Sequence, residues 1–247
     1  MTWRRKINRR RLFGQAARYT APVLLGYMAI GIAFGLLLVE AGYAWRLSLA
    51  MSIVMYAGAG QYIAVGLFSA GAGLTEAALV QLVVNARHAA YGFSMLQRFE
   101  KTGPFKWYLI FALTDETFAL LSSLPEVESM KDGLGKHTES ERAWFMFFVA
   151  LLDQFYWVAG SVIGAVAGSL LPFDFGGVGF ALTSLFIVLM LEQMLKTRKP
   201  TIFIVSAFTA VGTVAFFPAR ASLLLGMAIS LTAIYFIEKN VEKRKVR

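Results

Sequence analysis

Asn85, Arg87 and His88 bring an amide, a guanidinium and an imidazole together in otherwise apolar sequence, between Leu82 and Met95. In a bilayer such groups are costly unless they face a protein partner or a water-filled cavity. Two explanations compete: a set of satisfied hydrogen bonds between helices, or a substrate or ion pathway. We take the second, because ionisable side chains inside a membrane mark functional sites by default. Arginine stays charged in any protein environment, so Arg87 can anchor a carboxylate but cannot shuttle a proton. Histidine changes charge between about pH 5 and 8, so His88 can.

Asp115 and Glu116 are adjacent acids in a second apolar run. Neighbours on a helix diverge by about 100°, which predicts different partners: a cation or proton for one, a basic residue such as Arg87 for the other. A carboxyl group taken out of water can exist neutral as well as charged, which suits proton coupling. Asp153 is a third intramembrane acid, beside Gln154. Glu192 falls near a span end where it reaches water, and His137 falls in a polar loop. No second histidine or close carboxylate cluster has metal-ligand spacing, and the glycines form neither a Walker nor a Rossmann pattern. No metal, cofactor, catalytic residue or ATPase is therefore expected. Energy, if used, comes from a gradient or from another subunit.

These side chains must be carried by spans. The chain of 247 residues is 57% hydrophobic and 16% charged, with mean hydropathy +0.61. A soluble domain carries roughly 25% charged residues, and here apolar runs recur along the whole length. The expected fold is all-α: a polytopic integral membrane bundle of eight spans, the first about the 20 residues that cross the hydrocarbon core and the fifth long enough to tilt or to start outside the bilayer. The spans are 20–39, 47–70, 74–95, 105–123, 142–171, 178–195, 201–217 and 219–237. Pro22 opens the first, and Gly31 and Gly35 give it a small face for a neighbour. In the second, Tyr56-Ala57-Gly58-Ala59-Gly60-Gln61-Tyr62 weakens helix continuity. It is either a site of close packing or a discontinuous helix whose freed amides line a substrate site. In the third, Gln81, Asn85 and His88 share one polar face. In the fifth, Gly160, Gly164 and Gly168 form a helix-packing strip on the face of Asp153 and Trp157.

Charge sets the orientation. Residues 1–18 carry seven basic side chains and no acid, and residues 239–247 carry five basic and one acidic, so the tails hold +7 and +4 of the net +9. Both read as cytoplasmic segments flanking one transmembrane domain, 19–238, by the positive-inside rule, and both suit anionic lipid headgroups. The loop 196–199 then falls inside, whereas Arg98, Lys101 and Lys106 fall outside against the rule unless the third segment is re-entrant. No basic folded face with aromatic platforms exists for a nucleic acid, and no cysteine is present for disulfides.

Taken together, Tyr56 to Tyr62, then Asn85-Ala86-Arg87-His88-Ala89-Ala90-Tyr91-Gly92, then Leu113-Thr114-Asp115-Glu116-Thr117-Phe118-Ala119 resemble in order and spacing the AzlC family of azaleucine-resistance, branched-chain amino acid exporters. Trp157-Val158-Ala159-Gly160-Ser161 and Leu171-Pro172-Phe173-Asp174-Phe175-Gly176 are similar to that family's pattern too. The chain departs from it in the tyrosines at 56 and 62 and in Gly60, where the family often has phenylalanine and alanine. The resemblance implies a bacterial cytoplasmic-membrane permease exporting valine, leucine or isoleucine. It also implies a second, small membrane subunit of the AzlD type.

The residues then divide as follows. Arg87, or the amides near Gly58 and Gly60, meet the substrate carboxylate, with Gln61 and Asn85 beside them. Asp115 or Glu116 meets its ammonium. Tyr56, Tyr62 and Phe118 supply an apolar wall, and His88, Asp115, Glu116 and Asp153 carry coupling. A non-transporting membrane scaffold, or a permease for a different small organic substrate, stays open as the rival reading. No Ser–His or paired-Asp arrangement argues for an intramembrane enzyme.

Overall fold

The computed structural model describes residues 7–124, 139–171, 180, 183–184, 187–188, 190–191, 194–195, 200–217 and 219–245. Glu192, His137, the turn after Leu171, most of the loop 124–141, the basic loop 196–199 and part of the sixth expected span lie outside them. The described residues are helical and contain no strand. They belong to two compact units, Met1–Leu182 and Thr183–Arg247.

In the first unit the basic lead-in is itself a helix, α1, Arg9–Tyr19. The Asn8 side chain accepts from the Arg11 amide at 3.1 Å to cap it, and Leu12 and Ala16, one turn apart, are its buried face. Helix α2, Ala21–Glu40, follows with a proline in its first turn and stops at Gly42, whose φ of +87° only glycine adopts freely.

The second and fourth expected spans are each two helices. α3, Trp45–Val54, and α4, Gly58–Ser69, meet at Tyr56, a non-glycine residue with φ +40°. That conformation ends α3, and the chain re-enters a helix only after the extended Ala57. α5 is the continuous 26-residue helix Leu74–Phe99; a 3-10 turn, Glu100–Thr102, and Gly103 lead out of it. α6, Phe105–Phe111, and α7, Asp115–Ser122, break at Ala112–Thr114. Thr114 is extended there and caps α7, accepting from the Thr117 amide at 3.2 Å. The segment 47–70 thus has both a break and, at Gly58 and Gly60, close packing on other helices, and a second break divides 105–123.

α8, Glu139–Leu170, runs through the unit with 32 residues. It packs on α2 through small residues on both helices. A methyl group on Gly31 would stand 3.1 Å from the Trp157 carbonyl and the Ser161 amide, and one on Gly160 3.0 Å from the Met28 carbonyl. Methyl groups on Gly35 and Gly164 would overlap the opposing backbone outright. Gly168 sits looser, against the Leu36 side chain. Among the described residues, two helices, Ala21–Glu40 and Glu139–Leu170, are long and apolar enough to cross a bilayer alone. α3 with α4, and α6 with α7, approach span length only as pairs.

The second unit contains α9, Pro200–Phe216, and α10, Ala219–Lys245, which continues into the basic tail. These two pack along a small polar seam. Thr209 and Ser230 share a hydroxyl–hydroxyl hydrogen bond, and a methyl group on Gly226 would stand 2.9 Å from Thr213 Oγ1.

Candidate functional site

The two helix breaks lie in the first unit among α2, α5 and α8, and the polar side chains of the sequence gather around them. Arg87 of α5 donates through Nη1 to Asp115 Oδ2 at 2.5 Å. Tyr91, one turn along, donates to the other oxygen, Oδ1, at 2.6 Å. Asp115 opens α7, where the helix macrodipole favours a carboxylate. The pair is only partly covered, with side-chain exposures of 33% and 31%. Tyr91 stacks on Phe118, ring centroids 4.4 Å apart, and the His88 ring lies 6.1 Å from Tyr91 on the same helix face. The Arg87 Nε and the Asn85 Oδ1 are buried with no hydrogen-bond partner among the described residues.

Glu116 faces the other way. Its Oε2 accepts from the Tyr27 hydroxyl at 2.7 Å, and the Tyr27 and Thr114 hydroxyls lie 2.5 Å apart. Thr114 donates to Thr117 at 3.0 Å, and Thr117 donates to Asp153 Oδ2 at 2.8 Å. Asp153 is wholly buried. Its Oδ1, like the hydroxyl of buried Tyr56, has no partner among the described residues.

The glycine segment builds a third, tighter cluster. Gln61 is fully buried; its Oε1 accepts from Trp157 Nε1 at 2.8 Å and its Nε2 donates to Ser52 at 3.1 Å. Tyr62 donates to the Ile30 carbonyl at 2.7 Å. Gly58 lies against the Trp157 ring, and Gly60 against Gln81 and Asn85. Gln81 donates to the Gly60 carbonyl at 2.9 Å and accepts from Asn85 at 2.8 Å. Gln154 donates to the Ile53 carbonyl, freed at the end of α3, at 3.2 Å, and accepts from Tyr108 at 2.8 Å.

The residues named from sequence thus separate into three groups, of which Glu116 and Asp153, joined through Tyr27, Thr114 and Thr117, are one. Arg87, Asp115, Phe118 and His88 come together in a half-open setting with Tyr91. Gln61 and Tyr62 are buried with their polar atoms bonded to protein, and Tyr56 is buried beside the break. Arg98, which faced the wrong side by charge counting, donates to the Leu121, Ser122 and Leu124 carbonyls at 3.1, 2.9 and 2.8 Å, capping the C-terminal end of α7. Lys101 pairs with Glu139 at 2.7 Å. Sequence reasoning missed Tyr27, Tyr91 and the roles of Thr114 and Thr117. The signals were present: Tyr91 stands one turn from Arg87, and a threonine followed by two acids, Thr114-Asp115-Glu116, is a helix-start pattern. Among the described residues no group of three His, Asp or Glu side chains can hold a metal ion.

Comparison with known proteins places this arrangement. Residues 22–171, which include both breaks and all three clusters, match the family described as AzlC protein. An uncharacterized membrane protein of Helicobacter pylori is 39% identical over 233 residues, 93% of this chain and 96% of its own. The branched-chain amino acid transport protein AzlC of Bacillus subtilis is 32% identical over 236 residues, 95% of this chain and 88% of its own. The inner membrane protein YgaZ of Escherichia coli is 30% identical over 235 residues, 90% and 89%. No solved structure matches. The family match covers more than half of the chain, and the relatives align over nearly all of it: this integral membrane protein belongs to the AzlC family.

Proposed function

We propose that the chain is the large subunit of a secondary transporter that exports valine, leucine or isoleucine across the cytoplasmic membrane. It works with a small second membrane subunit and draws on an ion or proton gradient. The observation that carries this reading is the Arg87–Asp115 pair, held at a helix break and about one-third exposed. An amino acid is a zwitterion. Its carboxylate can take the place of Asp115 on the guanidinium, and its ammonium the place of Arg87 on the carboxylate. One internal ion pair is exchanged for two charge-assisted contacts, and the net charge of the site does not change.

The unpartnered Arg87 Nε is a donor left over for a second carboxylate oxygen, since arginine binds carboxylates through a fork of parallel donors. The Tyr91–Phe118 stack supplies an apolar wall beside the pair, suited to a branched side chain. Discontinuous helices around a site in the bilayer are the arrangement secondary transporters use. The relative from Bacillus subtilis carries a name that states branched-chain amino acid transport.

The test is efflux of labelled valine, leucine and isoleucine from proteoliposomes, with the chain alone and with a small co-encoded membrane protein. Efflux of at least one substrate that Arg87→Ala abolishes is expected. No movement of any of the three in either preparation would overturn the reading.

A further inference from the structure

Asp153 and Glu116 are the two ends of one unbroken line of oxygens. From Asp153 Oδ2 it runs through Thr117, Thr114 and Tyr27 to Glu116 Oε2, with successive separations of 2.8, 3.0, 2.5 and 2.7 Å. The residues come from α8, α7, the α6–α7 break and α2. Each hydroxyl carries one hydrogen, so three hydroxyls supply three protons for four contacts. With both carboxyls ionised, one contact would be two buried oxygens facing each other without a proton between them, at the full cost of an unmade hydrogen bond. The Thr117 amide does not fill the gap, because it donates to Thr114 from outside the line. With both carboxyls protonated, one proton would have to leave the line for an outer carboxyl oxygen, and Asp153 Oδ1 offers it no acceptor among the described residues. The line closes with one acid protonated and one ionised.

We propose that Asp153 and Glu116 share a single transportable proton through the hydroxyls of Thr117, Thr114 and Tyr27, and that this relay is the coupling element of the transporter. The coupling role rests on the transport function proposed above; the shared proton rests on the geometry alone. In one state Asp153 donates to Thr117, Thr117 to Thr114, Thr114 to Tyr27, and Tyr27 to ionised Glu116. In the other every donor reverses: Glu116 donates to Tyr27, and so on to ionised Asp153. Conversion carries each of the four protons across its own contact, breaks one O–H bond and forms one at each hydroxyl, and leaves Asp153 one proton poorer and Glu116 one proton richer. No outside reactant is needed.

The two ends are unequal. Asp153 is wholly buried, with Oδ1 unpartnered; Tyr56 of the first break and Tyr108 of α6 are the titratable groups that feel its charge, with Glu116 further along. Glu116 is partly exposed, and Asp115 on its own helix, Arg87 of α5 and Tyr27 of α2 surround it. A proton delivered to Glu116 thus arrives on the opposite face of α7 from the Arg87–Asp115 pair, but within the reach of its charges.

Infrared spectroscopy of the full chain in lipid nanodiscs at neutral pH reads the shared proton directly. Wild type minus Glu116→Gln/Asp153→Asn should show one protonated-carboxyl C=O band that shifts in D2O. Its absence would overturn the relay whatever the protein carries. The band in a protein that moves no branched-chain amino acid would support the shared proton and overturn the transport reading alone. In proteoliposomes, Tyr27→Phe keeps the ring and removes one hydroxyl. Leucine movement driven by a pH gradient should fall at least about tenfold while exchange at equal pH stays within about twofold, since only the proton-transfer step is lost. Thr114→Ser, which keeps the hydroxyl and the α7 cap, should couple like wild type. Wild-type coupling in Tyr27→Phe, or an equal loss of exchange, would overturn the coupling role.

Discussion

Arg87 and Asp115 face each other across 2.5 Å, one from the middle of α5 and the other from the first residue of α7, a helix that begins inside the apolar run. The contact explains why an arginine can sit in that stretch at all. Its charge is met by a carboxylate that a helix terminus already favours, and Tyr91 holds that carboxylate from its other side.

The first prediction separates that structural job from recognition of substrate. Arg87→Lys keeps the charge and loses the fork, so the KM for leucine efflux should rise about tenfold, the equivalent of about 1.4 kcal/mol, at normal membrane levels. Removing either partner alone leaves a charge unmatched. Arg87→Ala/Asp115→Ala should therefore insert better than either single variant while transporting no better, as read by membrane yield and efflux together.

His88 lies beside Tyr91 and next in sequence to Arg87. Protonating it adds a second positive charge next to the carboxylate-binding group. The KM measured in exchange at equal pH should therefore vary between about pH 5 and 8, and His88→Gln should remove that variation. An unchanged KM–pH profile in the variant would make His88 a packing residue.

Gly164 permits no side chain, because the Ile32 backbone of α2 occupies the space. Gly164→Ala should cost about 1–3 kcal/mol through overpacking, and Gly164→Leu should abolish the folded protein on detergent size-exclusion chromatography. Gly168→Ala comes close only to the movable end of Leu36, 3.2 Å away, with Val39 and the Leu36 backbone at ordinary contact distance, and should elute normally. Equal behaviour of all three would contradict the α2–α8 interface.

Arg98 should contribute stability without touching transport. It bonds three carbonyls at the end of α7, and a cation in such a position is worth up to about 2 kcal/mol. Arg98→Gln should lower the melting temperature of the solubilised protein and leave the KM for leucine unchanged. A raised KM would move Arg98 into the transport pathway.

Eight spans with basic tails require both ends on one side. Reporter fusions after residue 8 and after residue 245 should both report the cytoplasm. Opposite sides for the two ends would rule out an even number of spans.

Membrane class, helix content and the residues of interest follow from the amino-acid sequence, because hydropathy and charge are properties of each residue and its close neighbours. Pro22 and the paired small residues of α2 and α8 announce their local roles for the same reason. Pairing is different. Asp115 and Glu116 are adjacent in sequence, yet the first reaches Arg87 and the second Tyr27, because a helix turns neighbours about 100° apart and other helices stand on either side. Nothing local says that Thr114 would close a line to Asp153, or that Gln61 would spend its amide on Ser52 and Trp157. The two glycines and the glutamine after Tyr56 left a break and close packing equally open, and the glycines lie inside α4 beyond the break; the break before Asp115 rests on one threonine that also fits a continuous helix. Cap or helix interior was decided by what its hydroxyl could reach, and that depended on where α2 and α8 bring Tyr27 and Asp153. Residue types set which groups need partners, and only the packing of the helices decided which partners they have.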